Sequence, residues 1–159
     1  MKPRKTWAEK LADNKGLPRI IKLTGADAKR WGGKTLVIPA PCEIDALMCT
    51  VPRGRVTTIN ELRAAIARKH HTEAGCPITT GIFSWIAAHA AEEATAAGAR
   101  RITPYWRTLK KDGELNPKYP GGVAAVRCRL AAEGHAFVAK GKRVLVRNLE
   151  AALFRPTAN

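Results

Sequence analysis

The run Pro104-Tyr105-Trp106-Arg107-Thr108 sets two aromatic rings directly before a guanidinium, and the turn Tyr119-Pro120-Gly121-Gly122 follows after a polar stretch. A buried strand is served by Val or Ile, so the rings either fill the core, the default for such a pair, or face something specific. Cys42, Cys49, Cys76 and Cys128 form no CxxC pair and read as free thiols of a reducing compartment. Cys128 stands between Arg127 and Arg129, whose charges favour a thiolate. Cys76 with His70 or His71 matches no zinc-ligand spacing, so neither a metal nor another cofactor is expected. Thr79, Thr80 and Ser84, with Gly81 among them, sit where a helix should begin. Small hydroxyls and free backbone N–H groups there either hold phosphates or cap a core helix. Lys110, Lys111 and Lys118 surround a turn, where they either touch phosphates or form a solvated basic wing.

The chain has 159 residues, the length of one domain with an added arm, and a net charge of +15. Residues 1–40 carry ten Lys/Arg against three Asp/Glu, residues 41–98 five against six, and residues 99–159 thirteen against four. A near-neutral middle therefore lies between two basic flanks, a segregation that solubility does not require. A field of this sign attracts polyanions, nucleic acid foremost, with ribosomal RNA and acidic membrane surfaces as competitors. No apolar run has the length of a membrane span, and residues 1–10 lack the apolar segment of a secretory signal. The expected location is cytoplasmic, with the nucleoid.

Capping residues and apolar periodicity give the elements that position these groups. Thr6 and Glu9 have capping-box spacing for a short helix that stops near Gly16. Residues 18–23 and 34–39 read as short strands on either side of a basic loop at residues 29–34. Ile44, Leu47 and Met48 fit a helix broken by Pro52 and Gly54. Thr58 and Glu61 open a second capped helix with Leu62, Ala65 and Ile66 as its stripe. A third helix, capped at Thr79 or Thr80 and ending near Gly98, puts Ile82, Trp85, Ile86 and His89 on one face, with His89 a core residue rather than a ligand. A strand is expected at Ile102–Thr108, a turn at Asp112–Gly113, a helix from Gly122 to Glu133, a hairpin turning at Lys140–Gly141 and a helical turn near residues 149–154. This order predicts an α+β, mainly helical fold, a winged helix-turn-helix whose second paired helix enters a DNA groove. That helix begins without Arg or Lys, so strong reading of base sequence is not expected.

From about Glu43 to Phe137 the chain resembles the C-terminal domain of the alkylguanine-DNA alkyltransferases. The residues that carry the resemblance are VPRGRVTTINELRA (51–64), the Thr80–Ala97 helix, PYWRT (104–108), YPGG (119–122) and RLAAEG (129–134). They stand where the family has IPxGxVxSYxxLA, its DNA-binding helix, PCHRV, YSGG and a helix ending in EG. In that family the cysteine of PCHR takes the alkyl group, activated by the histidine beside it and by a glutamate. Those positions hold Tyr105 and Trp106 here, and Glu133 keeps the glutamate in a structural role. A phenol with no base beside it is a weak nucleophile at neutral pH.

The alkyltransferase-like group also lacks the cysteine; it binds alkylated guanine without repairing it and passes the lesion to excision repair. The resemblance therefore implies a non-catalytic, monomeric DNA-binding protein whose partners are double-stranded DNA, alkylated or plain, and nucleotide-excision repair proteins. It implies a base pocket at Tyr105, Trp106, Arg107, Thr108, Tyr119, Gly121 and Gly122, bordered by Thr58 and Ile59, where stacking replaces chemistry. Arg107 would tie neighbouring backbone together. The backbone of the DNA falls to Thr79, Thr80, Gly81, Ser84, Lys110, Lys111 and Lys118. Ile59 occupies the place of the family's base-rotating tyrosine, and Thr80 that of its gap-filling arginine, so DNA binding carries over more directly than base flipping. An alkyltransferase acting through Cys76 or Cys128, or a general architectural DNA-binding protein, are the alternatives. Residues 1–40 lie outside the resemblance and are expected to form a basic N-terminal extension to an alkyltransferase-like domain at 41–159.

Overall fold

The computed structural model describes residues 2–158. At its centre runs α5 (Pro77–Ala96), 20 residues long. Ala87, Ala88, Ala90 and Ala91 give it a buried face with little side-chain bulk. The small side chains allow close approach of α1 (Trp7–Ala12), α3 (Pro41–Cys49) and α4 (Ile59–Lys69), which pack against it. Ile44, Met48, Leu62, Ile66 and Phe83 form the core between these helices, continued by Leu109, Leu115, Val126 and Leu130. Glu43 fixes the α3–α4 pairing: its carboxylate accepts from the Ala40 N–H at 2.8 Å and from Lys69 at 2.7 Å, and His70 Nε2 lies 2.7 Å away.

The N-terminal segment is stitched to this core. The N–H groups of Trp7 and Ala8 donate to the Glu93 carboxylate at 3.0 and 3.1 Å. Strand β2 (Thr35–Ile38) pairs antiparallel with β1 (Arg19–Lys22) and parallel with β4 (Ala74–Gly75), and Val37 reaches the main core. The stretch between β1 and β2, expected to be a basic loop, contains α2 (Gly25–Trp31). Asp27 in its first turn and Lys29 and Arg30 in its last complement the helix dipole, and Gly32 at φ +90° ends it.

In the C-terminal half, β3 (Thr57–Thr58) pairs parallel with β5 (Thr108–Leu109), and α6 (Gly122–Ala132) precedes the hairpin β6 (Phe137–Lys140)–β7 (Arg143–Val146) and α7 (Leu149–Ala152). The fold is thus α+β and mainly helical, with α4 and α5 as the helix pair and the hairpin as the wing. Two further local expectations change. The strand expected across Ile102–Thr108 is a 3-10 turn at Tyr105–Arg107 that leads into the short β5; Pro104 has no N–H with which to extend a ladder. Helix α5 starts at Pro77 rather than at a Thr79 or Thr80 cap, because proline suits the first helical position. No helix among the described residues is long and apolar enough to cross a membrane.

Candidate nucleic-acid interface

The paired rings turn inward. Tyr105 is 2% exposed and Trp106 8%. Tyr105 meets Trp106 and Tyr119 edge-on, with centroids 5.3 and 5.6 Å apart. The Tyr105 hydroxyl donates to Glu92 Oε1 at 2.6 Å. Trp106 Nε1 donates to Glu133 Oε1 at 3.0 Å, and Arg107 grips the same carboxylate through Nη2 at 2.7 Å and Nε at 3.0 Å. Arg107 Nη1 reaches the Val51 carbonyl at 2.8 Å, so this guanidinium ties backbone together. Burial works to raise the Glu133 carboxyl, but the bonds from Arg107 and Trp106 outweigh it and hold the group below the usual carboxylate range. Arg129 lies 4.3 Å from the Trp106 ring centroid and pairs with Glu92 at 2.9 Å. Burial, with the Glu92 carboxylate beside it, pushes the Tyr105 phenol well above an ordinary tyrosine, and burial pushes Tyr119 up to about 12.

Tyr105 and Tyr119 thus pack on each other, while Trp106 and Arg107 line an open cleft of about 460 Å3 with Arg100, Arg101 and Arg129. The other members of the expected base pocket are structural in their surroundings. Thr58 accepts from the Glu61 N–H at 3.3 Å and caps α4, and Ile59, half-buried, packs against the core. Thr108 is buried, and its hydroxyl has no partner among the described residues. Gly121 and Gly122, at φ +78° and +71°, make the turn into α6. A Cβ on Gly121 would lie 2.5 Å from that of Ala125, so glycine alone fits.

Another open groove, of about 760 Å3, lies between the first turns of α5 and the turn at residues 110–118. Ile78, Ile82, Trp85 and His89 form one wall with Gly81; their spacing of three or four residues puts them on one helix face. Trp7 backs that wall, stacked on His89 at 4.4 Å and edge-on to Trp85 at 4.8 Å. Lys110, Asn116, Pro117 and Lys118 form the facing wall. Its turn is held by the Lys110 N–H on the Glu114 carbonyl and the Gly113 N–H on the Lys110 carbonyl, both at 2.9 Å. The Leu115 N–H on the Val144 carbonyl at 2.9 Å joins it to β7. The Glu114 carboxylate bonds Arg143 and, at 3.0 Å, the Lys110 ammonium, and these two partners keep it below the usual range.

Gly81, Lys110 and Lys118 of the expected phosphate contacts line this groove, and Lys111 is exposed on the same turn. Thr79 is half-buried with its hydroxyl unpartnered among the described residues. Thr80 and Ser84 are buried, and their hydroxyls donate to the carbonyls of Cys76 at 2.6 Å and Gly81 at 2.9 Å, so they serve the helix. Sequence reasoning missed Ile78, Asn116 and Pro117, and read Ile82, Trp85 and His89 as one core face with Ile86. Helix α5 has two apolar rows: Phe83, Ile86, Ala87 and Ala90 face inward, while Ile78 and Ile82 are exposed. The signal was a row of apolar residues beyond the stripe that one core requires. Cys76 is buried at the start of α5, and Cys128 is exposed on α6. No group of three or more His, Cys, Asp or Glu among the described residues could hold a metal.

No known family model and no curated protein matches this chain. Two solved structures do. Atl1 of S. pombe in complex with damaged DNA containing O6-carboxymethylguanine is 18% identical, with a TM-score of 0.51 over 73% of this chain and 94% of that one. S. pombe ATL in complex with DNA is 18% identical, with a TM-score of 0.52 and the same coverage. At this identity the similarity establishes a shared fold.

Proposed function

We propose that the chain binds double-stranded DNA without modifying it, in the manner of the alkyltransferase-like proteins, and holds damaged DNA such as alkylated guanine at the α5 groove. The observation that carries this reading is the groove itself: an apolar and aromatic wall faces a lysine wall on a chain of charge +15. Base faces stack on apolar and aromatic side chains, while lysines take phosphates. The S. pombe Atl1 complex, whose DNA contains O6-carboxymethylguanine, supports the choice of ligand. Tyr105, at the place of the acceptor cysteine in the resembling family, supports the non-catalytic reading. Its proton is committed to Glu92 and its phenol is raised above the usual range, which makes it a poor nucleophile. The bound lesion would then be handed to excision-repair proteins.

The test is binding of a duplex carrying an O6-alkylguanine against the same duplex undamaged, with the mass of the protein measured after incubation. Tighter binding of the damaged duplex and an unchanged mass are expected. Equal affinities would remove the lesion from the reading, and an alkyl group gained on Cys76 or Cys128 would make the protein an enzyme.

A further inference from the structure

Exposed large apolar side chains are few among the described residues: Ile20, Ile78 and Ile82, at 53, 56 and 45% exposure. A lone exposed isoleucine such as Ile20 needs no explanation. Ile78 and Ile82 differ, because they stand one helical turn apart on the same face of α5, at the lip of the groove. Gly81 lies between them. Glycine inside a helix weakens it, so its presence calls for a reason. Its backbone is helical rather than left-handed, and a Cβ there would meet nothing within 4 Å. The fold therefore has no need of glycine at this position, whereas an approaching ligand would.

We propose that Ile78 and Ile82 act as an apolar wedge that enters a base step of duplex DNA, with Gly81 leaving room for the strand that passes beside them; this rests on the DNA-binding reading above. Charge complementarity names the occupant. Residues 77–91 contain no acidic side chain, and Lys110 and Lys118 face the pair across the groove. Base faces are apolar and flank a charged backbone, so a ligand that offers both at once fits an apolar lip beside a lysine wall. Apolar side chains inserted between base pairs unstack them and kink the duplex, and the cost is least where pairing is already weak. A second copy of this chain fits poorly, since a like charge of +15 opposes its approach.

The test uses the full chain and a duplex carrying 2-aminopurine beside a mismatch, whose fluorescence rises on unstacking. The unsubstituted protein should raise that signal. The double variant Ile78→Ala with Ile82→Ala, at exposed positions where alanine favours the helix, should bind with an unchanged salt slope, lose the fluorescence rise and bind the mismatched duplex about tenfold more weakly, a factor worth 1.4 kcal/mol. Ile82→Leu should keep the rise. Gly81→Ala should raise the Tm and still weaken binding, which separates the ligand contact from any folding defect. Failure of the unsubstituted protein to bind duplex at low salt would sink the DNA-binding reading itself. Binding without unstacking, unstacking that survives in the double variant, or a Gly81→Ala protein that binds normally would overturn the wedge alone.

Discussion

Tyr105 donates its hydroxyl proton to Glu92 at 2.6 Å, and Arg129 reaches the same carboxylate oxygen at 2.9 Å while covering the Trp106 ring. The phenol is thus committed to a structural partner. The arrangement buries Tyr105, while Trp106 still borders an open cleft of about 460 Å3 with Arg100, Arg101 and Arg107, apart from the groove at the first turns of α5.

Tyr105 and Tyr119 are the only tyrosines in the sequence, so tyrosinate absorbance reports both without ambiguity. Burial raises each above its ordinary value, with Glu92 adding to the effect at Tyr105. In the native protein little tyrosinate should form at pH ~10, where a free tyrosine is half ionised. Both groups bind their protons more tightly when folded. Their contribution to stability is therefore complete below about pH 10 and lost as pH rises through the folded values. Ionisation should coincide with the loss of native circular dichroism, and a tyrosine titrating freely in the folded state would contradict this burial.

Glu133 should be a stability residue. Its side chain is 3% exposed and that of its partner Arg107 14%. Glu133→Gln removes the charge and strands the guanidinium, at a cost of about 3 kcal/mol in urea unfolding. Because the Glu133 carboxyl is depressed in the fold, its contribution is complete above about pH 4.3 and fades as pH falls through the folded value. The stability gap between the unsubstituted protein and the variant should therefore narrow on acidification. A variant as stable as the parent at neutral pH would remove this role.

Binding to undamaged duplex should depend steeply on salt and weakly on sequence. If roughly four to seven phosphates are neutralised, log affinity falls with log salt at a slope of about −4 to −6. Lys110→Ala and Lys118→Ala should each flatten that slope by roughly 0.9. Slopes unchanged in both variants would place the phosphates elsewhere.

Preference for a damaged duplex should map to the groove. Trp85→Ala should reduce the ratio of damaged to plain affinity, since stacking on an aromatic side chain is worth on the order of 1–3 kcal/mol per base. Tyr105→Phe should leave the ratio unchanged and lower stability by about 1 kcal/mol, through loss of the bond to Glu92. The opposite pattern would put the base back at Tyr105.

The sequence alone determined several of the local elements. Thr6 with Glu9 and Thr58 with Glu61 mark two helix starts because a hydroxyl that satisfies a free backbone N–H acts within one turn. The hairpin and α6 were legible from alternation, a helical stripe and a glycine turn for the same reason, and the charge of +15 required no fold at all. Only the tertiary structure decided which aromatic residues face outward. The sequence left Tyr105 and Trp106 between a core role and the base pocket that the resemblance implied; Glu92, 13 residues from Tyr105, and Glu133, 27 residues from Trp106, take the polar atoms of both rings through their carboxylates. Helix α5 carries two apolar rows, and periodicity cannot say which one the neighbouring helices cover. That choice fell to α1, α3 and α4, whose packing buries the Phe83–Ala91 side and leaves Ile78 and Ile82 facing the lysine turn. Burial of an apolar row depends on residues distant in sequence that come to lie over it, and no local pattern encodes their arrival.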